Sequence, residues 1–179
     1  MEFSLVISLG VIAILLVLSA FFSGAETALT AASRPLIHQL ERKGNRRAGL
    51  VNMLRKDKER LIGSILLGNN LVNILASVLA TSILIGLFGE AGVIYATVAM
   101  TLLVVIFAEV LPKTYAIQNA DRMALALAPV LRAFVVLLSP VARAMQILVR
   151  AILRLLGASV SADQGLTSTA EELRGAIDL

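Results

Sequence analysis

The stretch AGVIYATVAMTLLVVIFAEVLPK (Ala91–Lys113) opens with an apolar run to Leu111 that is long enough to cross a bilayer. About twenty apolar residues span a hydrocarbon layer of ~30 Å as a helix. One carboxylate interrupts this run, Glu109, followed three residues later by Pro112 and then by Lys113. An ionised side chain at that depth costs several kcal/mol or more unless it is paired, hydrated in a cavity or bound to a cation, so it marks a functional site by default. Ion handling is the first expectation.

The composition agrees with a membrane class. Hydrophobic residues make up 58% of the 179, charged residues only 16%, and the mean hydropathy is +0.89. Those values lie far from the soluble balance. The only long polar segments are 34–60 and about the last twenty residues, which leaves room for one membrane domain and no soluble catalytic domain. With no cysteine and one histidine, disulfides, thiolate sites, redox chemistry and imidazole-rich zinc sites fall away. Oxygen atoms remain as ligands. No nucleophile–base pair or metal–water arrangement stands out, so an enzyme is not expected.

Three spans follow from hydropathy, at about 3–27, 61–87 and 91–111. A cleaved signal peptide competes for the first, but its apolar core is longer than such a segment needs and its only early charge is Glu2. The turn Phe88-Gly89-Glu90 is so short that the second and third spans must form an antiparallel hairpin. Asn69 and Glu109 each lie 20 residues from Gly89 and so fall at similar depth. The segment 34–58 reads as one or two juxtamembrane helices, with Pro35 suited to a first turn and Gly44-Asn45 to a break. Met123–Leu156 is apolar enough to span, but Arg132 interrupts it, Pro129 and Pro140 break helical hydrogen bonding, and Arg143, Arg150 and Arg154 share one stripe. The expected fold is therefore all-α integral membrane, with three transmembrane helices plus amphipathic juxtamembrane helices at about 34–58 and 120–156, the latter as a hairpin. Nine of the 16 Lys and Arg residues lie in 34–60 and none in 88–90 or before the first span, so the positive-inside rule puts 34–60 and the C-terminus in the cytoplasm and the N-terminus outside. The same topology accounts for the net charge without nucleic acid. Attraction to anionic headgroups is sufficient use for the basic collar.

Each span carries one polar interruption: Phe22-Ser23-Gly24-Ala25-Glu26-Thr27, Gly68-Asn69-Asn70-Leu71-Val72-Asn73 and Glu109-Val110-Leu111-Pro112-Lys113. Gly24, Gly68 and Pro112 can each loosen a helix, and a loosened turn in a membrane frees carbonyls that protein, water or an ion must satisfy. Freed carbonyls with side-chain oxygens make a hard-cation site of the kind found in transporters with broken helices. Ser hydroxyl, Asn amide oxygen, carbonyls and one carboxylate suit magnesium, sodium or calcium better than zinc or copper. Ser23, Asn69 and Glu109 rank first as ligands, then Asn70 and Asn73, with the Ser23 and Gly68 carbonyls as further donors. Plainer roles stay open: a membrane Ser can bond to a carbonyl one turn back, and Asn can hold helices together. Lys113 either snorkels to the interface or balances Glu109. Glu26 would sit at the inner mouth or pair with the basic collar, and His38 would be solvated.

At these residues the chain resembles the transmembrane domain of the CorC / cyclin M (CNNM) family of magnesium transporters. The likeness covers roughly 3–156 and rests on Phe22–Leu29, on Leu67-Gly68-Asn69-Asn70-Leu71-Val72-Asn73-Ile74, and on Ala108-Glu109-Val110-Leu111-Pro112-Lys113-Thr114, in that order. The resemblance implies a magnesium exporter with sodium as the exchanging ion, a homodimer with three spans and juxtamembrane helices per protomer, and a cell (inner) membrane location. It also implies that Ser23, the Gly68-Asn69 turn with Asn73, and Glu109 line the magnesium site; at Asn70 related members can carry an apolar residue. Full-length members continue into a paired CBS module. Thr169-Ala170-Glu171-Glu172-Leu173 resembles the start of the acidic connector to it, so 157–179 is expected to be a cytoplasmic connector truncated before that module. The expected mechanism is alternating access around the three spans. Its rival is a membrane-bound magnesium sensor that regulates a partner transporter and moves no ion itself.

Overall fold

The structure, a computed structural model, describes residues 2–155. The connector expected over 157–179 lies outside the described residues. All described elements are helical: α1 (Glu2–Ala31), α2 (Arg34–Arg42), α3 (Arg46–Lys56), α4 (Lys58–Phe88), α5 (Ala91–Leu103), a π-helical segment (Val104–Val110), α6 (Leu111–Gln118) and α7 (Ala120–Leu155). Met1–Ala142 forms one compact unit. The described part of a second unit, which begins at Arg143, is the last portion of α7.

Four helical stretches, not three, are long and apolar enough to cross a membrane: Leu5–Ala31, Lys58–Phe88, Ala91–Gln118 and Ala120–Leu153. The chain is thus a multi-pass membrane protein by length and composition. The expected hairpin over 120–156 is replaced by one continuous helix that carries Pro129 and Pro140 within it. A proline removes one helical donor without ending a long helix when the flanking turns are held by packing. Here Ala124, Ala128, Leu131, Val135 and Ala142 form a buried stripe at spacings of three, four and seven. The break expected near Gly44 is present. Gly44 has φ 87°, a backbone region open to glycine, and Asn45 then caps α3 by accepting from the Arg47 and Ala48 amides at 3.0 and 3.4 Å.

Two other expectations change with the backbone. The spans are longer than hydropathy suggested, and α1 and α4 run unbroken through Gly24 and Gly68. Only the third span departs from α geometry, through the π segment just before Pro112, where the Leu111 amide bonds to the Ile106 carbonyl. Proline's ring would crowd the carbonyl four residues back, and widening the preceding turn relieves that clash. Pro112 also has no N–H to offer the Ala108 carbonyl.

The bundle holds two apolar clusters. One gathers Ile12, Ala76, Ala80 and Met100; the other joins Phe22, Ala25, Leu29, Ile65 and Val72 to Ile37, Val51 and Leu54 under the basic collar and to Leu131 and Val135 of α7. Phe134 sits against both Phe21 and Phe22, with ring centroids 5.8 and 5.1 Å away. The C-terminal end of α1 is pinned from two sides. Arg55 of α3 donates to the Leu29 and Ala32 carbonyls, and the Asp121 carboxylate accepts the Ser33 amide at 2.8 Å.

Close approach in the α4–α5 hairpin depends on Gly92, where an added Cβ would strike the Leu84 carbonyl. A backbone atom cannot rotate aside. Gly92→Ala is therefore expected to destabilise the protein by about 1–3 kcal/mol, read as a lower Tm in detergent. Gly86→Ala, where the new methyl meets nothing within 4 Å, should leave the Tm unchanged or raise it.

Candidate functional site

Between the two apolar clusters lies a polar layer near the middle of the spans. Ser19, fully buried, donates its hydroxyl to the Asn69 side-chain oxygen at 2.7 Å and so ties α1 to α4. One turn on, Ser23 is 2% exposed, and its hydroxyl oxygen is buried without a hydrogen-bond partner. The Asn73 side-chain oxygen and the Ser64 hydroxyl are in the same condition. A buried polar atom left unpaired costs about 1–3 kcal/mol, so three of them in one bundle call for a ligand or water.

The three sequence motifs converge on one short stretch of α1. Phe22 lays its ring over Gly68, where an added Cβ would come within 2.7 Å of the ring. A Cβ added at Gly24 would meet Met123 at 3.2 Å and Pro112 at 3.4 Å. Ser23 thus lies in sequence between the contact to the Gly68-Asn69 motif and the contact to the Glu109–Pro112 motif. α1 also packs directly on the π segment that carries Glu109, which is half-buried there. A π turn widens the helix and frees carbonyls from their ordinary α donors, a frequent device at functional sites.

Not all predicted residues join this layer. Asn70 is exposed, and Asn73, half-buried, lines a separate groove of about 390 Å³ with Ser77 and Thr81 of α4 and Thr97 and Thr101 of α5. Residues 73, 77 and 81 share one helical face. Two of these hydroxyls are held by their own helix, Thr81 on the Ser77 carbonyl at 2.8 Å and Thr97 on the Val93 carbonyl at 2.9 Å. The Ser23 carbonyl, expected as a free donor, lies inside regular helix and accepts the Thr27 hydroxyl at 3.1 Å. Lys113 makes no ion pair with Glu109 among the described residues. Instead it lines a cleft of about 320 Å³ with Glu26, Thr27 and Thr30.

Sequence reasoning passed over Ser19 and Ser64 as site residues. The signal was present in spacing, since Ser19 and Ser23 are four apart, as are Ser64 and Gly68, which places each pair on one helix face. Among the described residues no three His, Asp or Glu side chains cluster. The available donors are neutral oxygens with one carboxylate, a set suited to a hard cation and poor for a transition metal.

A model of the cyclin M transmembrane N-terminal domain matches residues 10–179. The chain belongs to the cyclin M (CNNM) transmembrane family. It is 37% identical over 157 residues to the UPF0053 inner membrane protein YfjD of Escherichia coli, covering 88% of this chain and 37% of that protein. A UPF0053 protein of Haemophilus influenzae is 34% identical over 167 residues, which is 93% of this chain and 40% of the relative. A chloroplastic DUF21 domain-containing protein of Arabidopsis thaliana is 35% identical over 175 residues, 94% of this chain and 27% of the relative. The chain therefore spans 40% or less of the length of these three relatives.

Proposed function

We propose that this cyclin M domain is the membrane part of a magnesium exporter, coupled to sodium and working as a homodimer in the inner membrane. The observation that carries the reading is the Ser23 hydroxyl, buried and unpartnered where α1 meets both the Asn69 and the Glu109 motifs. Magnesium prefers six oxygens near 2.1 Å and sheds water reluctantly. Ser23, Asn69 and Glu109 supply side-chain oxygens, and the Ala108 carbonyl, which Pro112 leaves without an α-helical donor, replaces the Gly68 carbonyl as the backbone contribution. Glu26 at the adjacent cleft attracts the cation before it reaches the layer. The stripe Asn73, Ser77 and Thr81 points along α4 towards the hairpin at Gly89 and offers an exit for the alternate state. In this reading the chain performs no covalent chemistry.

Magnesium flux in liposomes holding only this chain tests the proposal. Flux without a partner is expected. Folded protein that binds magnesium and moves none would support the sensor reading instead.

For topology, the proposal keeps three spans, with the N-terminus outside and α7 lying along the cytoplasmic interface. Support comes from the recurrence of exposed arginines along α7, at Arg122, Arg132, Arg143 and Arg150, which a helix crossing the hydrocarbon layer would have to bury or export. The chain has no cysteine, so single substitutions can be read cleanly. Asn45→Cys and Leu156→Cys should react with an impermeant maleimide from the same side, and Glu90→Cys from the opposite side. Labelling of Leu156→Cys from the side of Glu90→Cys would establish four spans.

A further inference from the structure

A cavity away from the polar layer lies at the shared end of α1 and α4. It has a volume of about 670 Å³ and combines Arg34, Arg55, Lys56 and Lys58 with the apolar side chains of Leu61 and Ile62. That size is ordinary for a ligand pocket. Because the span of α1 ends at Ala31 and that of α4 begins at Lys58, the cavity sits at interfacial depth. Glu41, the one carboxylate in its lining, is already engaged, accepting from the Asn52 amide at 2.5 Å and lying 3.8 Å from the His38 imidazole. Four cations therefore face the cavity with little internal compensation.

Two details point to an anion. Arg55 spends one edge of its guanidinium on the Leu29 and Ala32 carbonyls, while its Nη1 is buried with no partner. Burial first, and then the nearby Arg34, hold this guanidinium below the ordinary arginine value, with Asp121 acting in the opposite direction. Like charges crowded in this way are relieved by a bound anion.

The apolar side of the cavity selects among anions. Ile62 is 51% and Leu66, one turn further along α4, is 56% exposed. Together they continue the cavity's apolar wall along the surface of a membrane span. A free inorganic anion has no use for such a wall, whereas an acyl chain does.

We propose that this cavity is a specific site for the phosphodiester headgroup of an anionic phospholipid, held by Arg34, Arg55, Lys56 and Lys58, with an acyl chain along Ile62 and Leu66. This is more than the diffuse attraction of a basic collar to a charged surface. Diffuse attraction would depend equally on Arg42 and Lys43, which do not line the cavity.

Native mass spectrometry of the delipidated chain in detergent tests it, with dioleoylphosphatidylglycerol, dioleoylphosphatidylcholine and inorganic phosphate as probes. One saturable phosphatidylglycerol per chain is expected, preferred at least fivefold over phosphatidylcholine. Binding should fall at least fivefold in Lys56→Gln/Lys58→Gln, whose side chains are exposed, and also in Arg34→Gln, but not in Arg42→Gln/Lys43→Gln. Equal losses in the two double variants would overturn the site in favour of diffuse charge. Displacement of the lipid by inorganic phosphate at similar concentration would overturn the choice of a lipid.

Discussion

Glu109→Gln should weaken magnesium binding to the purified chain at least about 100-fold, measured by calorimetry in detergent. The reason is electrostatic. Serine and asparagine oxygens supply dipoles, but only a carboxylate supplies net charge against a dication, and the membrane-depth layer has a low effective dielectric. A 100-fold loss corresponds to ~2.8 kcal/mol, modest beside the cost of an uncompensated charge at this depth. Glutamine keeps the volume and one carbonyl oxygen, so a change in packing cannot account for the loss. Ser23→Ala should act in the same direction more weakly, about tenfold, because a hydroxyl contributes one neutral oxygen. It should also leave or raise the Tm, since it removes a buried oxygen that has no partner.

Arg55→Met should produce the largest loss of stability of any single change outside the membrane layer, about 3 kcal/mol. A helix end leaves its last carbonyls without internal donors, and at α1 two of them, Leu29 and Ala32, are met by the Arg55 guanidinium. Hydrogen bonds from a charged donor contribute about 1.5–3 kcal/mol each. Methionine keeps much of the apolar stem and removes every donor, so the effect isolates the polar contacts. The expected observation is a lower Tm in detergent, with frayed amides at 29–33 by hydrogen exchange. Lys56→Met, next along α3 and exposed, is the control and should leave the Tm unchanged.

Much of this architecture was legible in the residues. Apolar runs located three of the four helices long and apolar enough to span, Gly44 and Asn45 marked the α2–α3 break, and Gly89 marked the hairpin turn. Those features depend on local chemistry: hydropathy over a window, or a backbone conformation open to glycine. The long form of α7 was not legible. Pro129 and Pro140 are local signals for a break, and the packing of Ala124, Ala128, Leu131 and Val135 that carries the helix past them is tertiary. Likewise Gly68 looked like a hinge, but its role in the fold is to admit the Phe22 ring. The missing Cβ serves helix contact, and α4 runs through it unbroken.

At the site, Glu109 was visible because a carboxylate in an apolar run is conspicuous, and Ser23 because it stands in a distinctive motif. Ser19 was less conspicuous, since a lone serine in a span has several harmless uses. Its bond to Asn69 becomes visible only when α1 and α4 are placed side by side. Asn70 shows the reverse. Adjacent to Asn69 in sequence, it is turned about 100° away on the helix and ends exposed.

The most direct test of the central claim is magnesium flux in proteoliposomes of this chain, wild type against Glu109→Ala, with and without a sodium gradient. Flux that requires the gradient in the wild type and is absent from a folded Glu109→Ala variant is the expected result. Equal flux in the two proteins would contradict the assignment of the cation site to Glu109 and the layer around Ser23.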